Sequence, residues 1–298
     1  MENYQNLVKD VLENGEYKES ARKGLPGTYS LFGTRLEFNL LEGFPILTTK
    51  RMFWKGIVVE LLWFLQGRTD LKYLVDRGVN IWNKDAYRFD SKKAGVKFDD
   101  LEDYKNYVRF KNEGNLLGDL GNIYGYQWRR KRGDQVQDVI DKIQTNPYGR
   151  YKIIDAWSPE DFDNMALPPC HLLYQFNCVI RDGVKFLDMQ MYQRSVDTFL
   201  GLPFNLSSGA LLLSIIAKIT GSVARRFIWI GGDTHIYENH IDACQELLER
   251  DPYDKPELRI NRSITSLEDI EERVKHTDFE LVGYNSHDKI KAELNAGI

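Results

Sequence analysis

Apolar positions along this chain change period several times, and each change marks an element. In residues 4–13, Leu7, Val8, Val11 and Leu12 recur at helical spacing. Residues 29–40 alternate as a strand does, after a loop at 20–28 that contains Gly, Pro and Arg22. Residues 57–66 are apolar almost throughout, with Glu60 inside the run, and predict a buried helix. Residues 85–115 are charged, aromatic and weakly patterned, and read as an insertion of small helices or loop on a surface. An amphipathic helix is predicted at 136–144, and strands at 151–157, 172–180 and 184–192, the last two joined by a turn at Arg181-Asp182-Gly183. A long apolar helix follows at 206–220, a strand at 226–230 and a helix at 234–250. The segment 288–298 is polar with an apolar end. No repeat and no Gly/Ser/Pro-rich linker divides the chain, so the pattern predicts one α+β domain over residues 1–298.

Composition narrows the class. Hydrophobic residues make up 42% of the 298, enough for a large core. The net charge of −4 shows no basic excess for wrapping nucleic acid. The three cysteines, without CxxC spacing, fit a reducing compartment better than a disulfide framework or a structural zinc. The N-terminal residues are polar and charged, unlike a signal peptide, and the apolar run 210–217 is too short to cross a bilayer. These features predict a cytoplasmic protein with no membrane or nucleic-acid partner.

The chemistry-bearing residues lie in a few segments. Cys170 sits in Pro168-Pro169-Cys170-His171, followed by Gln193-Arg194-Ser195-Val196-Asp197 and by Gly201-Leu202-Pro203-Phe204-Asn205. A lone cysteine is ordinarily an inert small hydrophobe. Here prolines fix its backbone and a nearby cation would favour its thiolate, so a nucleophile is the competing reading. Cys178 and Cys244 fall in regular apolar patterns and read as core. Arg22, Arg150, Arg194 and Ser195 are candidates for a phosphate, which an arginine fork fits, against the ordinary reading of solvated surface arginines. Arg194 differs because its neighbours are apolar, and a buried cation needs a partner. Glu60 is either functional or on an exposed helix face. Asn205 is either a helix N-cap or an amide that reads a polar ring edge. After Gly231-Gly232, Asp233 or Thr234 could cap a helix, or His235 and Tyr237 could bond a sugar hydroxyl; His240 has no metal-spaced partner set.

Together these segments resemble the thymidylate synthase family, folate-dependent enzymes that alkylate C5 of a pyrimidine nucleotide, within a superfamily that includes the deoxypyrimidine-nucleotide hydroxymethylases. The resemblance runs nearly end to end. It includes Phe44-Pro45-Ile46-Leu47-Thr48-Thr49-Lys50, Glu60-Leu61-Leu62-Trp63-Phe64-Leu65, Gly118-Asp119-Leu120-Gly121-Asn122-Ile123-Tyr124-Gly125 and Gln127-Trp128-Arg129. It implies a large mixed sheet flanked by helices and a sheet-to-sheet homodimer. It also implies dUMP and 5,10-methylenetetrahydrofolate as substrates. Cys170 would add to C6 of the pyrimidine. Arg22, Arg194, Ser195 and Gln193 would hold the nucleotide, with Arg150 reaching the phosphate across the dimer interface. Asn205 would select uracil, since relatives acting on cytosine carry aspartate there. His235 and Tyr237 would bond the 3′-hydroxyl, and Glu60 and Tyr124 would move protons. Asp197 and Trp82 would face the folate, and Lys50 its glutamate tail.

The chain departs from the family pattern at several points. Tyr151 replaces the second of two arginines, which leaves Arg129 or Arg130 as substitutes for the lost cation. Asp155 replaces a serine, Asn83 an aspartate and Gly209 a tyrosine, and the C-terminal segment lacks the usual Pro-containing apolar clamp. The family's synthases finish by hydride transfer from the folate, giving dTMP and dihydrofolate. A smaller residue at 209 and a more polar tail could admit water, giving 5-hydroxymethyl-dUMP and tetrahydrofolate, the runner-up to a synthase; the competing reading is drift, with a neighbour filling the space at Gly209 and the tail still closing with Ile298. A non-catalytic nucleotide- or RNA-binding relative is the third reading, opposed by the joint presence of Cys170, Glu60, Tyr124 and Asn205.

Overall fold

The chain is described by a computed structural model that covers residues 1–20, 24–111, 114 and 117–295. Its frame is a six-stranded mixed sheet in the order β1-β2-β6-β5-β4-β3. The strands are β1 (Glu16–Lys18), β2 (Thr28–Asn39), β3 (Ile153–Asp155), β4 (His171–Arg181), β5 (Val184–Asp197) and β6 (Val223–Tyr237). Only β5 and β6 run parallel. Parallel neighbours need a crossover, and the apolar helix α8 (Gly201–Ile219) supplies it. The tight turn between β4 and β5 holds Asp182 at φ 50° and Gly183 at φ 77°, the geometry that matches strand twist in a two-residue hairpin.

This connectivity decides where a site can form. The start of β4 meets the ends of β5 and β6 in one row, because His171 pairs with Gln193 and Gln193 with Gly231. Period-two alternation sends Tyr174, Phe176, Met189, Met191, Phe227 and Trp229 into the core on one sheet face. The opposite face presents Leu173, Gln175, Tyr192, Ile228 and Ile230 in adjacent register, each at least partly exposed.

Two helices form the inner layer. α2 (Trp54–Leu65) buries nearly its whole circumference and packs on α8, which packs in turn on β5 and β6. α8 has 19 residues and a mean hydropathy of 1.5, long and apolar enough to span a bilayer, yet 72% of that stretch is buried inside the protein. It is therefore a core helix. α1 (Glu2–Asn14) covers the sheet with Tyr4, Leu7, Val8 and Val11.

The remaining helices are α3 (Leu71–Asp76), α4 (Asn83–Ala94), α5 (Leu101–Phe110), α6 (Tyr124–Arg129), α7 (Gln135–Thr145), α9 (Ile241–Leu248) and α10 (Leu267–Glu272). A separate hairpin pairs β7 (Glu257–Ile260) with β8 (Phe279–Val282).

Several expectations shift. The stretch 85–115, expected to be small helices or loop, contains most of α4 and α5, and these helices carry buried residues of their own. Tyr104 is fully buried, and its hydroxyl donates to Asp90 at 2.6 Å while Gly118 N–H donates to the same oxygen at 2.7 Å. The predicted helix at 234–250 is strand as far as Tyr237, because β2 pairs with it to Tyr237 and β5 to His235, with Thr234 and Ile236 alternating inward. α9 begins only at Ile241. α8 begins at Gly201, so Pro203 lies in its first turn, where a missing N–H costs nothing.

Gly209 does not open a hole. A methyl group placed there would lie 2.6 Å from Phe227 Cζ, and Phe227 is itself fully buried and stacked on Phe38 at 6.0 Å. The phenylalanine occupies the space that a larger residue 209 would need. Overpacking should outweigh the better helix propensity of alanine. Gly209→Ala is expected to lower unfolding free energy by about 1–3 kcal/mol in urea titrations, and Phe227→Leu in the same chain to recover most of it. An unchanged midpoint for Gly209→Ala would show that the ring yields freely.

Candidate functional site

Cys170 immediately precedes β4 and is partly exposed, whereas Cys178 and Cys244 are buried. Its backbone is held from two sides. Tyr124 Oη accepts from Cys170 N–H at 2.7 Å, and Arg194 N–H donates to Cys170 O at 2.8 Å. The Arg194 guanidinium donates through Nε to Pro169 O at 2.8 Å and through Nη2 to Pro168 O at 3.0 Å. Nη2 also lies 3.8 Å from Cys170 Sγ. A cation beside a sulfur stabilises the thiolate. The guanidinium lies over the Trp157 ring at 5.6 Å, and Trp157 N–H donates to Asp155 Oδ1 at 2.8 Å. Asp155 is in turn paired with Arg132 at 2.9 Å, so this departure from the family serine supports the turn beneath Arg194.

Glu60 is the one residue of the run 56–65 that is not fully buried. Trp82 Nε1–H donates to its Oε1 at 2.7 Å. Burial pushes the Glu60 carboxyl up to about 7, with the Trp82 bond opposing the rise. Such a group is poised to exchange protons near neutrality. Tyr124 stays a neutral phenol, raised well above its ordinary value by burial first and then by nearby negative groups. Its ring stacks on His171 at 4.3 Å between centroids. His171 Nδ1 meets the Tyr174 hydroxyl, and burial lowers the imidazole to about 3, so it is neutral.

Asn205 lies within α8, not at its cap, so its side chain is free for another task. Its Oδ1 accepts from Gln193 Nε2 at 2.8 Å, and Gln193 Oε1 accepts from Trp229 Nε1–H at 3.0 Å. Indole can only donate, so Trp229 fixes the Gln193 amide, which fixes Asn205 in turn. The Asn205 amide nitrogen is thereby directed away from Gln193. Asp197 Oδ1 accepts from the N–H groups of Phe199 and Leu200 at 2.9 and 3.0 Å, which pins the turn into α8.

Lys50 is turned inward, bonded to Phe199 O, and so does not present its ammonium to a glutamate tail as the resemblance implied. It is 5% exposed and lies 3.7 Å from the Phe199 ring centre. Burial lowers its ammonium to about 8, with Asp197 opposing. Trp82 is also buried and committed to Glu60.

His235 Nδ1 lies 3.0 Å from Asp233 Oδ1, and its ring is 5.2 Å from that of Tyr237. The two residues lie two apart at the end of β6 and so share a face, with Ser195 paired opposite Asp233. Gly231 and Gly232 are needed there, since a Cβ on Gly232 would meet Arg194 O at 2.6 Å and one on Gly231 would meet Trp229 at 2.3 Å. Arg22 lies outside the described residues.

Arg150 is exposed and precedes β3. In the β3–β4 ladder Asp155 is nearest the start of β4 and Ile153 farthest from it, so Arg150, which precedes β3, lies on the side of the ladder away from Cys170. Of the two possible substitutes for the cation lost at Tyr151, Arg129 is committed: it bonds Asp134 at 2.8 and 2.7 Å and also Glu271 and Leu65 O. Arg130 is exposed.

Sequence reasoning passed over His171, Trp157 and Trp229 as functional supports. The adjacency of His171 to Cys170 was the available signal; the two tryptophans are found only through the fold. Among the described residues, no group of three or more His, Cys, Asp or Glu side chains is arranged to hold a metal ion.

The family profile described as thymidylate synthase matches residues 2–296. A thymidylate synthase of Mycoplasma mobile is 42% identical over 298 positions, covering 99% of each chain. The Listeria innocua thymidylate synthase is 42% identical over 323 positions, covering 99% of this chain and 100% of its own. That of phage T4 is 42% identical over 310 positions, covering 99% of each.

The Glu60–Trp82 bond sets a testable direction. Removing a donor to a carboxylate disfavours the ionised form. In Trp82→Phe the Glu60 carboxyl should titrate at higher pH than in the unaltered protein by carboxyl-carbon NMR; a titration at or below that of the unaltered protein would contradict the assignment.

Proposed function

Because this chain belongs to the thymidylate synthase family, we propose that the residues gathered at the end of its sheet carry out the transfer of a one-carbon unit from 5,10-methylenetetrahydrofolate to C5 of dUMP. The enzyme is a folate-dependent one-carbon transferase. What supports the residue assignment is one conjunction: a partly exposed thiol just before β4, a guanidinium of β5 3.8 Å from it, and an amide of α8 oriented by Gln193, the strand partner of His171.

In this reading the Cys170 thiolate bonds to C6 of the uracil, and the electron pair displaced to C5 makes that carbon the nucleophile. Arg194, with Ser195 and Arg22, holds the phosphate, and Gln193 holds Asn205 against the uracil edge. His235 and Tyr237 take the sugar hydroxyl. The C5 proton leaves once the new carbon–carbon bond has formed, and Glu60, its carboxyl raised to about 7, moves protons with Tyr124 close by. The folate supplies the carbon and the hydride. Asp197 and Trp82 face it. Release of the sulfur from C6 then yields dTMP, with dihydrofolate as the second product.

Hydroxymethylation is not favoured. The space at Gly209 is filled by Phe227, and the relatives of matching length carry the synthase name.

We also assign a homodimer formed through the open sheet face that carries Leu173, Tyr192, Ile228 and Ile230. Arg150 lies on the side of the β3–β4 ladder away from the Cys170 of its own chain and would serve the partner's site. Three cysteines without a disulfide suit a cytoplasmic setting.

Two experiments test these roles. Cys170→Ala should lose turnover by more than about 10³-fold while dUMP still binds; surviving turnover would overturn the mechanism. Arg150→Ala alone should weaken dUMP binding roughly tenfold or more. Mixed dimers of Arg150→Ala and Cys170→Ala chains should regain one intact site each. Absence of recovery would place Arg150 outside the partner's site.

A further inference from the structure

We propose that His240 is a positioning residue that ties the C-terminal segment to Asp197, with an amide clasp between Asn239 and Asn295 fastening that segment. This deepens the functional reading and rests on its assignment of Asp197 to the folate side.

His240 is fully buried in the short helical turn Glu238–His240, between β6 and α9. Its Nε2 lies 2.7 Å from Glu293 O, and its Nδ1 lies 3.7 Å from Asp197 Oδ2. The ring therefore stands between the terminal segment and the carboxylate, flanked by Phe199 at 5.7 Å and Tyr237 at 5.5 Å. Beside it the Asn239 and Asn295 amides pair in both directions, at 3.2 and 2.8 Å, and the Asn295 amide is 3.2 Å from His240 Nε2. Asn295 is only 8% exposed, whereas Leu294 is 48% exposed. The segment is thus fastened through its polar residues, where the sequence suggested that polarity would loosen it.

The chemistry of the donors fixes the arrangement. A carbonyl only accepts, so His240 Nε2 must carry the hydrogen shared with Glu293 O. The Asn295 atom facing that N–H is then best its oxygen, which exchanges oxygen and nitrogen in both amides and leaves the clasp intact because it is reciprocal. Nδ1 faces a carboxylate oxygen and has no closer partner among the described residues. A proton there would satisfy both groups. The other Asp197 oxygen is already held by Phe199 and Leu200 N–H. Docking of residues 293–295 therefore bears on the Asp197 carboxylate through one imidazole.

The test compares Asn239→Ala, Asn295→Ala, the double variant, His240→Ala and His240→Gln in the full chain. Hydrogen exchange of residues 290–295 is measured without folate. Steady-state KM for methylenetetrahydrofolate and the dUMP Kd are measured alongside. Each asparagine variant should speed terminal exchange and raise the folate KM roughly five- to tenfold, with the dUMP Kd changed less than about twofold. The double variant should be no worse than either single, because both break one clasp. His240→Gln, which keeps an N–H donor, should retain more protection than His240→Ala. Unchanged exchange in the asparagine variants would overturn the clasp. Faster exchange with an unchanged folate KM, or with dUMP loosened in parallel, would overturn its link to Asp197. A lack of folate-dependent turnover in the unaltered enzyme would refute the functional reading instead, and the exchange data would still decide the clasp.

Discussion

The hold of Arg194 on the backbone of Pro168, Pro169 and Cys170 is the constraint on which the site depends. A half-buried guanidinium must satisfy its donors. Here two of its bonds go to carbonyls and its own N–H closes a third onto Cys170 O. The approach to the sheet is thereby fixed, and the thiol is delivered beside a cation. Because carbonyls carry no formal charge, the guanidinium keeps its charge uncancelled by them, and an anionic substrate can supply the missing partner. The two prolines add what the hydrogen bonds alone would not, since they narrow the backbone freedom that would otherwise be lost on ordering this turn.

Around that clamp, burial does most of the chemical tuning. Glu60 stands in an apolar helix with one indole donor, which leaves it able to be acid or base near neutrality. His171, buried more completely, is held neutral and serves as a platform for Tyr124. Asn205 gains its orientation from a donor that has no alternative, Trp229, passed on through Gln193. The low-dielectric setting thus holds His171 and Asn205 each in one state and leaves Glu60 poised between two. The same principle extends to the buried His240 at the edge of the site.

Much of this was legible in the chain. Period-two alternation marked β4 and β5, and the dense apolar runs marked α2 and α8, because burial on both sides leaves a strong compositional trace. The thiol, the Arg-Ser pair and Glu60 stood out because each is chemically out of place in its local pattern. Other features were hidden by their dependence on distant partners. β6 extends through Tyr237 because two strands pair with it, a stabilisation that local propensity does not report. The loss of a ring at Gly209 looked like an opening until Phe227, 18 residues on, filled it. The inward turn of Lys50 and the clasp of Asn295 likewise follow from tertiary contacts alone.

With the space at Gly209 filled, hydride, not water, is expected to complete the reaction. Incubation of the unaltered enzyme with dUMP and methylenetetrahydrofolate, with both products identified by mass, tests this most directly. dTMP and dihydrofolate should form in equal amounts. Formation of 5-hydroxymethyl-dUMP with tetrahydrofolate would contradict it.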